Sequence, residues 1–411
     1  MRGYISALLS ITLLASCGGQ GSSSKSEEAV VVKHFDFLDS ADRKLDVMDL
    51  SELSAMSRDS IINPHAILAF DDYVIMADSR TLKALTVYNE ATEEYDRVMS
   101  RGNANNEIKF AANLGLVSAE ERMFFLRDMN QGRVFFMGID ETSGKVVMKS
   151  TSNLNRIGPF SDFEYDDNLL IGGVTNNRCR YMVASVPQNR VIARFGDFSA
   201  YTFDRDSARF GTISYPGYIA LDRANNRFAY LSQRGETIEI GSYDDSEQNR
   251  VSRNKRVNLT DKQKEEMSEE EIEEVRNAIY MTDDSITVCR IYNMPKFNTR
   301  VNKSGAFETS VSISGLRYGF GSSAASSEYI YSLYDGRTNR QKSNDDDKDD
   351  LIGSLCVMDW EGKLLLRITS EYGFKAISYN DSKRRLYCLT MTDTGEYELR
   401  YIDQDRLFGS R

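Results

Sequence analysis

One pattern recurs along the chain: a polar turn pair that leads into a short apolar or aromatic strand. It reads Asp71-Asp72-Tyr73-Val74-Ile75-Met76-Ala77 and then Glu120-Glu121-Arg122-Met123-Phe124-Phe125-Leu126. Further copies begin at Asp166, Asn225, Ser327 and Lys383. Aligned on their third residue, the copies fall at 73, 122, 168, 227, 329 and 385, separated by 49, 46, 59, 102 and 56 residues. A period of about 40–50 residues with several strands in each is the mark of propeller blades.

The flanks repeat as well. An apolar strand precedes the polar pair at Ala66–Phe70, Tyr218–Leu221 and Phe374–Tyr379, and a third strand follows at Leu85–Tyr88, Val134–Ile139, Thr237–Ile240, Leu355–Met358 and Tyr397–Tyr401. Outer strands read at Glu94–Met99 and Lys363–Ile368. The 22 Tyr and 20 Phe suit pleated, half-buried surfaces. An isolated blade is marginal, so its faces must be buried against neighbouring blades. The expected fold is all-β, a six-bladed β-propeller with a short helical insertion. Seven blades is the alternative, because the long gap holds a further candidate copy at Asp283–Cys289. The run Val30–Phe37 is expected to lend a strand to the last blade and so remove exposed edges.

Two stretches carry a family resemblance: Ser214-Tyr215-Pro216-Gly217-Tyr218-Ile219-Ala220-Leu221-Asp222, and the run from Ser327 to Arg337. They resemble the TolB-like six-bladed propeller lipoproteins of the Bacteroidetes. The resemblance implies six blades and brings no catalytic residues with it.

The N-terminus reads as an export signal. Arg2 is followed by the apolar run Ile5–Ala15, which is shorter than the roughly 20 residues needed to span a bilayer. Leu14-Ala15-Ser16-Cys17 then resembles the lipobox of bacterial lipoproteins, in which the Cys receives diacylglycerol and becomes the mature N-terminus. The other reading is an ordinary signal peptide that happens to contain a Cys. Residues 1–16 are thus expected to be the signal peptide, 17–29 a flexible tether with no apolar residue from Gly18 to Glu28, and 30–411 the propeller. Gly18 stands where many inner-membrane lipoproteins have Asp, so the resemblance favours a lipid anchor in the outer membrane of the cell envelope.

Residues 260–279 break the repeat. Thr260 with Gln263 and Ser268 with Glu271 read as capping boxes of two short helices, with Ile272, Val275 and Ile279 on one face. This face is a candidate partner-binding surface or a locally packed hairpin. Asn344–Asp350 lacks the ligand spacing of a calcium loop and reads as a solvated tip. Cys356 and Cys388 lie in apparent strand interiors and read as buried free thiols, although four cysteines beyond Cys17 leave pairings open.

Chemistry is sparsely equipped. The chain has two histidines, His34 and His65, too few for the usual His-rich metal sets of propeller enzymes. His65, in Asn63-Pro64-His65-Ala66, is the candidate channel-facing residue. No nucleophile elbow, P-loop or dinucleotide fingerprint occurs. No catalytic or metal-binding residue and no cofactor is assigned. A net charge of −11 argues against nucleic acid as a partner. The function read from the sequence is a non-catalytic envelope lipoprotein whose propeller binds a protein, peptide or glycan. The alternative is a propeller hydrolase or lyase with its site at the channel mouth. Cys17→Ser is expected to abolish labelling with a fatty-acid analogue; unchanged labelling would refute the lipobox.

Overall fold

A strand with apolar residues at successive positions has both faces to bury, and the second strand of each repeat carries such a run. Val74 and Ile75 are both fully buried, as are Phe124 and Phe125. Successive side chains of a strand point to opposite faces. Ile75 therefore joins a cluster with Phe124 and Phe135 of the following blade, whereas Val74 joins one with Ala376, Tyr387 and Leu389 of the preceding blade. Phe125 turns the other way, into a cluster with Phe163 and Leu170. Each second strand is thus a two-sided wedge between blades.

The computed structural model describes Leu38 and residues 41–52, 61–197, 216–243, 286–311 and 317–408, with short breaks inside these ranges. Among the described residues two short strands come first, β1 (Arg43–Asp46) and β2 (Ser51–Glu52). Blade one is β3 (Pro64–Phe70), β4 (Tyr73–Asp78), β5 (Lys83–Asn89) and β6 (Glu94–Ser100). Blade two is β7 (Ala111–Ser118), β8 (Met123–Asp128), β9 (Arg133–Ile139) and β10 (Val146–Asn153). Blade three is β11 (Phe160–Asp166), β12 (Leu169–Val174), β13 (Cys179–Ser185) and β14 (Arg190–Asp197). Blade four is β15 (Gly217–Asp222), β16 (Arg227–Ser232), β17 (Thr237–Ser242) and β18 (Ile286–Ile291). A hairpin, β19 (Phe297–Val301) with β20 (Phe307–Val311), follows.

Blades five and six share a strand. Blade five is β21 (Phe320–Ala325), β22 (Ile330–Tyr334), β23 (Ile352–Met358) and the first part of β24 (Leu364–Asn380). The 17-residue β24 then continues, past a register shift, as the first strand of blade six. It pairs there with β25 (Arg385–Met391), which pairs with β26 (Tyr397–Asp403). The fold is a six-bladed β-propeller. The first strands lie side by side in the order β3, β7, β11, β15, β21, β24, and β24 returns to β3.

The polar pairs of the repeat are the turns between first and second strands. Asp71, Arg122, Asp167, Asn168, Asn226 and Arg384 there all have positive φ. Asn and Asp reach this left-handed region at least cost among non-glycine residues, which accounts for Asp71, Asp167, Asn168 and Asn226 and leaves Arg122 and Arg384 outside that preference. Gly144 and Gly362, both with positive φ, fill the same role between third and fourth strands. The candidate seventh copy, Asp283–Cys289, supplies β18, the outer strand of blade four. Cys356 and Cys388 are buried free thiols whose pKa burial pushes up, Cys388 to about 12.

Closure differs from the sequence expectation. Val30–Phe37 lies outside the described residues. The strand added to β26 is β2, through Ser51 with Tyr401 and Glu52 with Arg400. β1 runs parallel to β24, and the buried Val47 and Leu50 between the two strands join the core of blades five and six. Arg400 donates to the Leu50 carbonyl and Arg43 to that of Leu407, at 3.3 and 2.7 Å. Leu50→Ala is expected to cost about 2–4 kcal/mol in urea denaturation, as for other buried leucines. An unchanged midpoint would contradict this account of closure.

Candidate functional site

The first strand of a blade has a hydrogen-bonded partner on one side only. Its other edge faces the propeller axis, so its backbone groups need partners from elsewhere. The first strands of all six blades enclose a cavity of 430 Å³ along this axis. Their sequences are rich in small and polar residues: AANLGLVS in β7, FSDFEYD in β11 and FGSSAA in β21.

Side chains of one blade satisfy the backbone of the next. At one end of the channel, the His65 ring hydrogen-bonds the Ala111 carbonyl through Nε2. Asn113 Nδ2 donates to Asp162 Oδ1, and the Ile219 N–H donates to Asp162 Oδ2 at 2.9 Å. The Ile377 N–H donates to Ser322 Oγ at 3.2 Å, and the Ala69 N–H to Ser378 Oγ at 2.9 Å. Beside the channel, blades four and five meet through backbone, Gly319 N–H donating to the Gln233 carbonyl at 2.8 Å, and farther out Tyr334 donates to Glu236 and Arg227 to the Ser327 carbonyl. Every junction of the ring therefore carries a polar link beside the channel.

At the far end, Arg223 bridges three blades. It leaves the end of β15, donates to the Tyr165 carbonyl of blade three and the Leu116 carbonyl of blade two, and pairs with Glu164 at 3.2 Å. Glu164 can approach because residue 115 is glycine: a Cβ there would lie 2.9 Å from Glu164 Oε2 and 2.2 Å from the Phe125 ring. Asn380 Nδ2 closes the same end by donating to the Asp71 carbonyl at 2.9 Å.

Burial sets the protonation of these groups. It pushes Asp162 up to about 6, against the Ile219 N–H and the Arg127 charge, which favour the carboxylate. It pushes Glu164 up to about 8, against Arg223 and with help from Asp162. His65 is pushed down by burial and is neutral at pH 7. Because its Nε2 faces a carbonyl, Nε2 carries the proton, and Nδ1 is left as a buried lone pair without a partner. The ring stacks on Phe110 with centroids 5.6 Å apart.

Of the residues singled out in the sequence, His65 lies on the channel wall. Cys17, His34, the insertion 260–279 with Ile272, Val275 and Ile279, and the acidic run 344–350 lie outside the described residues. Asp162, Glu164 and Arg223 were not legible as a group. The available signal was the acids interleaved with aromatics in FSDFEYD. Among the described residues, no three His, Cys, Asp or Glu side chains converge as a metal-ligand set.

A carboxyl whose folded pKa is raised contributes stability below its unfolded pKa, and this is lost as pH rises through the folded value. For Glu164 the window runs from the ordinary carboxyl value of 4.5 to about 8. Its side chain keeps 22% exposure, which tempers the effect. Relative to Glu164→Gln, the wild type is expected to lose about 1–3 kcal/mol between about pH 5 and about pH 8. Parallel stability curves for the two proteins in denaturant titrations would show that the carboxyl is not held this way.

Comparison with known proteins adds a family match over part of the chain. No curated protein matches the sequence. Among solved structures, Raptor of Chaetomium thermophilum aligns at 11% identity and TM-score 0.41, over 82% of this chain and 27% of that one. The chain thus spans about a quarter of Raptor's length. The Cps50 (Swd1) β-propeller domain of Myceliophteria thermophila aligns at 11% identity and TM-score 0.38, over 83% and 97% of the two chains. A protein of Bacteroides fragilis described as exported aligns at 9% identity and TM-score 0.45, over 88% and 98%. Residues 201–382, from before blade four into blade six, match the family described as TolB-like 6-blade propeller-like, and the ring of six sheets around one channel is the architecture that this description names.

Proposed function

We propose that the protein is a non-catalytic recognition module of the cell envelope, and that its axial channel receives part of a protein, peptide or glycan partner. The observation that carries this reading is the cavity of 430 Å³, walled by the first strands of all six blades. Pockets of roughly 300–1,000 Å³ with a few placed polar groups are the usual form of ligand sites. The envelope location rests on the Leu14-Ala15-Ser16-Cys17 motif and a lipid anchor at Cys17, with the outer membrane favoured by Gly18.

The reading as a hydrolase or lyase finds its best material in Asp162 and Glu164, the channel carboxyls with raised pKa. Such groups cluster at active sites, although structural networks raise pKa as well. Here both are held by the ring itself, Asp162 by Asn113 and the Ile219 N–H, and Glu164 by Arg223. That engagement favours binding over proton transfer.

Ala112 is half-exposed on the channel wall beside the carbonyl that His65 engages. Ala112→Trp is expected to narrow this mouth without touching a core cluster. Wild-type and variant protein would be used to capture partners from envelope extracts, with quantitative mass spectrometry as the readout. A partner held by the wild type and lost by the variant at least tenfold, about 1.4 kcal/mol, with an unchanged melting temperature, supports the channel reading. Equal capture by the two proteins removes the channel as the site.

A further inference from the structure

Five carboxylates line the channel, those of Asp71, Asp162, Glu164, Asp335 and Asp381. Four are engaged by the protein itself. Arg122 pairs with Asp71 at 3.3 Å and Arg337 with Asp335 at 2.6 Å. Asp162 takes Asn113 and the Ile219 N–H, and Glu164 takes Arg223. Among the described residues, none donates a hydrogen bond to the Asp381 carboxylate or forms an ion pair with it.

Its own turn does not need it. In blades two, four and six the last residue of the first strand caps the turn that follows. The Glu121 N–H donates to Ser118 Oγ at 3.1 Å, the Asn225 N–H to Asp222 Oδ1 at 3.3 Å, and the Lys383 N–H to Asn380 Oδ1 at 3.3 Å. Capping of this kind is the common structural use of an Asp in a turn. In blade six Asn380 already has that role, and the Ser382 hydroxyl donates to the same oxygen at 2.8 Å. The residue after each cap lines the far end of the channel: Ala119, Arg223 and Asp381. One structural position on alternate blades thus presents a methyl group, a guanidinium spent on two carbonyls and Glu164, and a carboxylate left over.

The charges that act on Asp381 hold other partners. Partial burial raises its pKa, Arg223 and Arg384 oppose the rise, and Asp222 adds to it. Arg223 is held by Glu164, Arg384 by Glu328 and Asp405 at 3.1 Å each, and Asp222 by Arg227 at 2.7 Å. Asp381 therefore has charged neighbours and no contact partner. A carboxylate partly withdrawn from water gains most from a donor that brings a positive charge.

The approach to it is lined by small side chains. Ala324 and Ala325, which end β21, and Ser382 flank the same end of the channel. They leave width for a long, unbranched side chain. Lysine is of this form, a flexible four-carbon stem that ends in a compact charge with three donors. One carboxylate is a poor donor set for a metal ion, and no three ligands converge among the described residues.

We infer that Asp381 anchors the ammonium group of a lysine side chain carried by a peptide segment that enters the far end of the channel. This rests on the channel reading and narrows its partner from protein, peptide or glycan to a lysine-bearing peptide segment. The probes are two acetylated and amidated Gly-Ser peptides, one with a central Lys and one with Nε-acetyl-lysine in its place. Binding to the full chain is followed by saturation-transfer NMR. The Lys peptide is expected to bind, with the strongest transfer to its ε-methylene protons, and to weaken in high salt. It is expected to lose about tenfold in affinity with Asp381→Asn. That variant breaks no bond of the turn, so its melting temperature is expected to match the wild type. Asp167, an exposed carboxylate in the matching turn of blade three and outside the channel, supplies the control. Asp167→Asn is expected to leave the affinity unchanged. No binding of the Lys peptide, equal binding of the acetylated peptide, or equal losses from Asp381→Asn and Asp167→Asn overturns the inference. So does n-butylamine that binds as tightly as the peptide, which would assign the carboxylate to a free amine. The channel reading fails separately, at the other mouth. A partner lost by Ala112→Trp yet held equally by Asp381→Asn and wild type would overturn the lysine anchor and leave the channel in place.

Discussion

A propeller must satisfy strand edges that no strand covers. The first strand of each blade turns one edge to the axis, where its N–H and C=O groups meet only neighbouring blades or the channel. An unpaired backbone group in such a place is costly. This chain answers at four of the six junctions with short side chains, from Asn113 to Asp162, from Asp162 to the Ile219 N–H, and from Ser322 and Ser378 to the backbone of Ile377 and Ala69, and at the other two with the His65 ring and the Gly319 N–H. The channel is polar for that structural reason before any ligand is considered. The same bonds hold the six wedges in one register, so that the apolar clusters between blades can pack on both faces of every second strand.

Much of this architecture was legible because it is local. The two-sided burial of strands such as β4 and β8 appears as unbroken apolar runs, and the left-handed turns before them appear as Asp, Asn or charged pairs. The first strands of blades two, three and five were not legible. Ala111–Ser118, Phe160–Asp166 and Phe320–Ala325 carry Gly, Ser, Ala and Asp, which have low strand propensity. They are strands because of the sheets beside them and the links around the axis. Closure was legible in kind and not in place: a strand from before the first blade does complete the last sheet, and it is Ser51–Glu52.

The site shows the same division. His65 drew notice as one of two histidines beside a proline, and it lies on the channel wall. The Glu164–Arg223 pair is a product of tertiary structure. Arg223 follows the first strand of blade four, yet its guanidinium contacts carbonyls in blades three and two. No local pattern reports a side chain that reaches across two neighbours, nor that Gly115 is small so that Glu164 can come near.

The shared strand β24 has a consequence for how such a ring can be rewired. Among the described residues, the last strand of one blade and the first strand of the next are separate elements at other junctions, as β6 and β7, and β10 and β11, are. New chain ends placed between two such strands would leave every sheet whole, the condition under which circular permutation is tolerated. Between blades five and six no connecting segment exists, because Leu364–Asn380 is one strand that serves both sheets. A cut there would sever two sheets at once. For inheritance as for engineering, the last two blades travel as a pair.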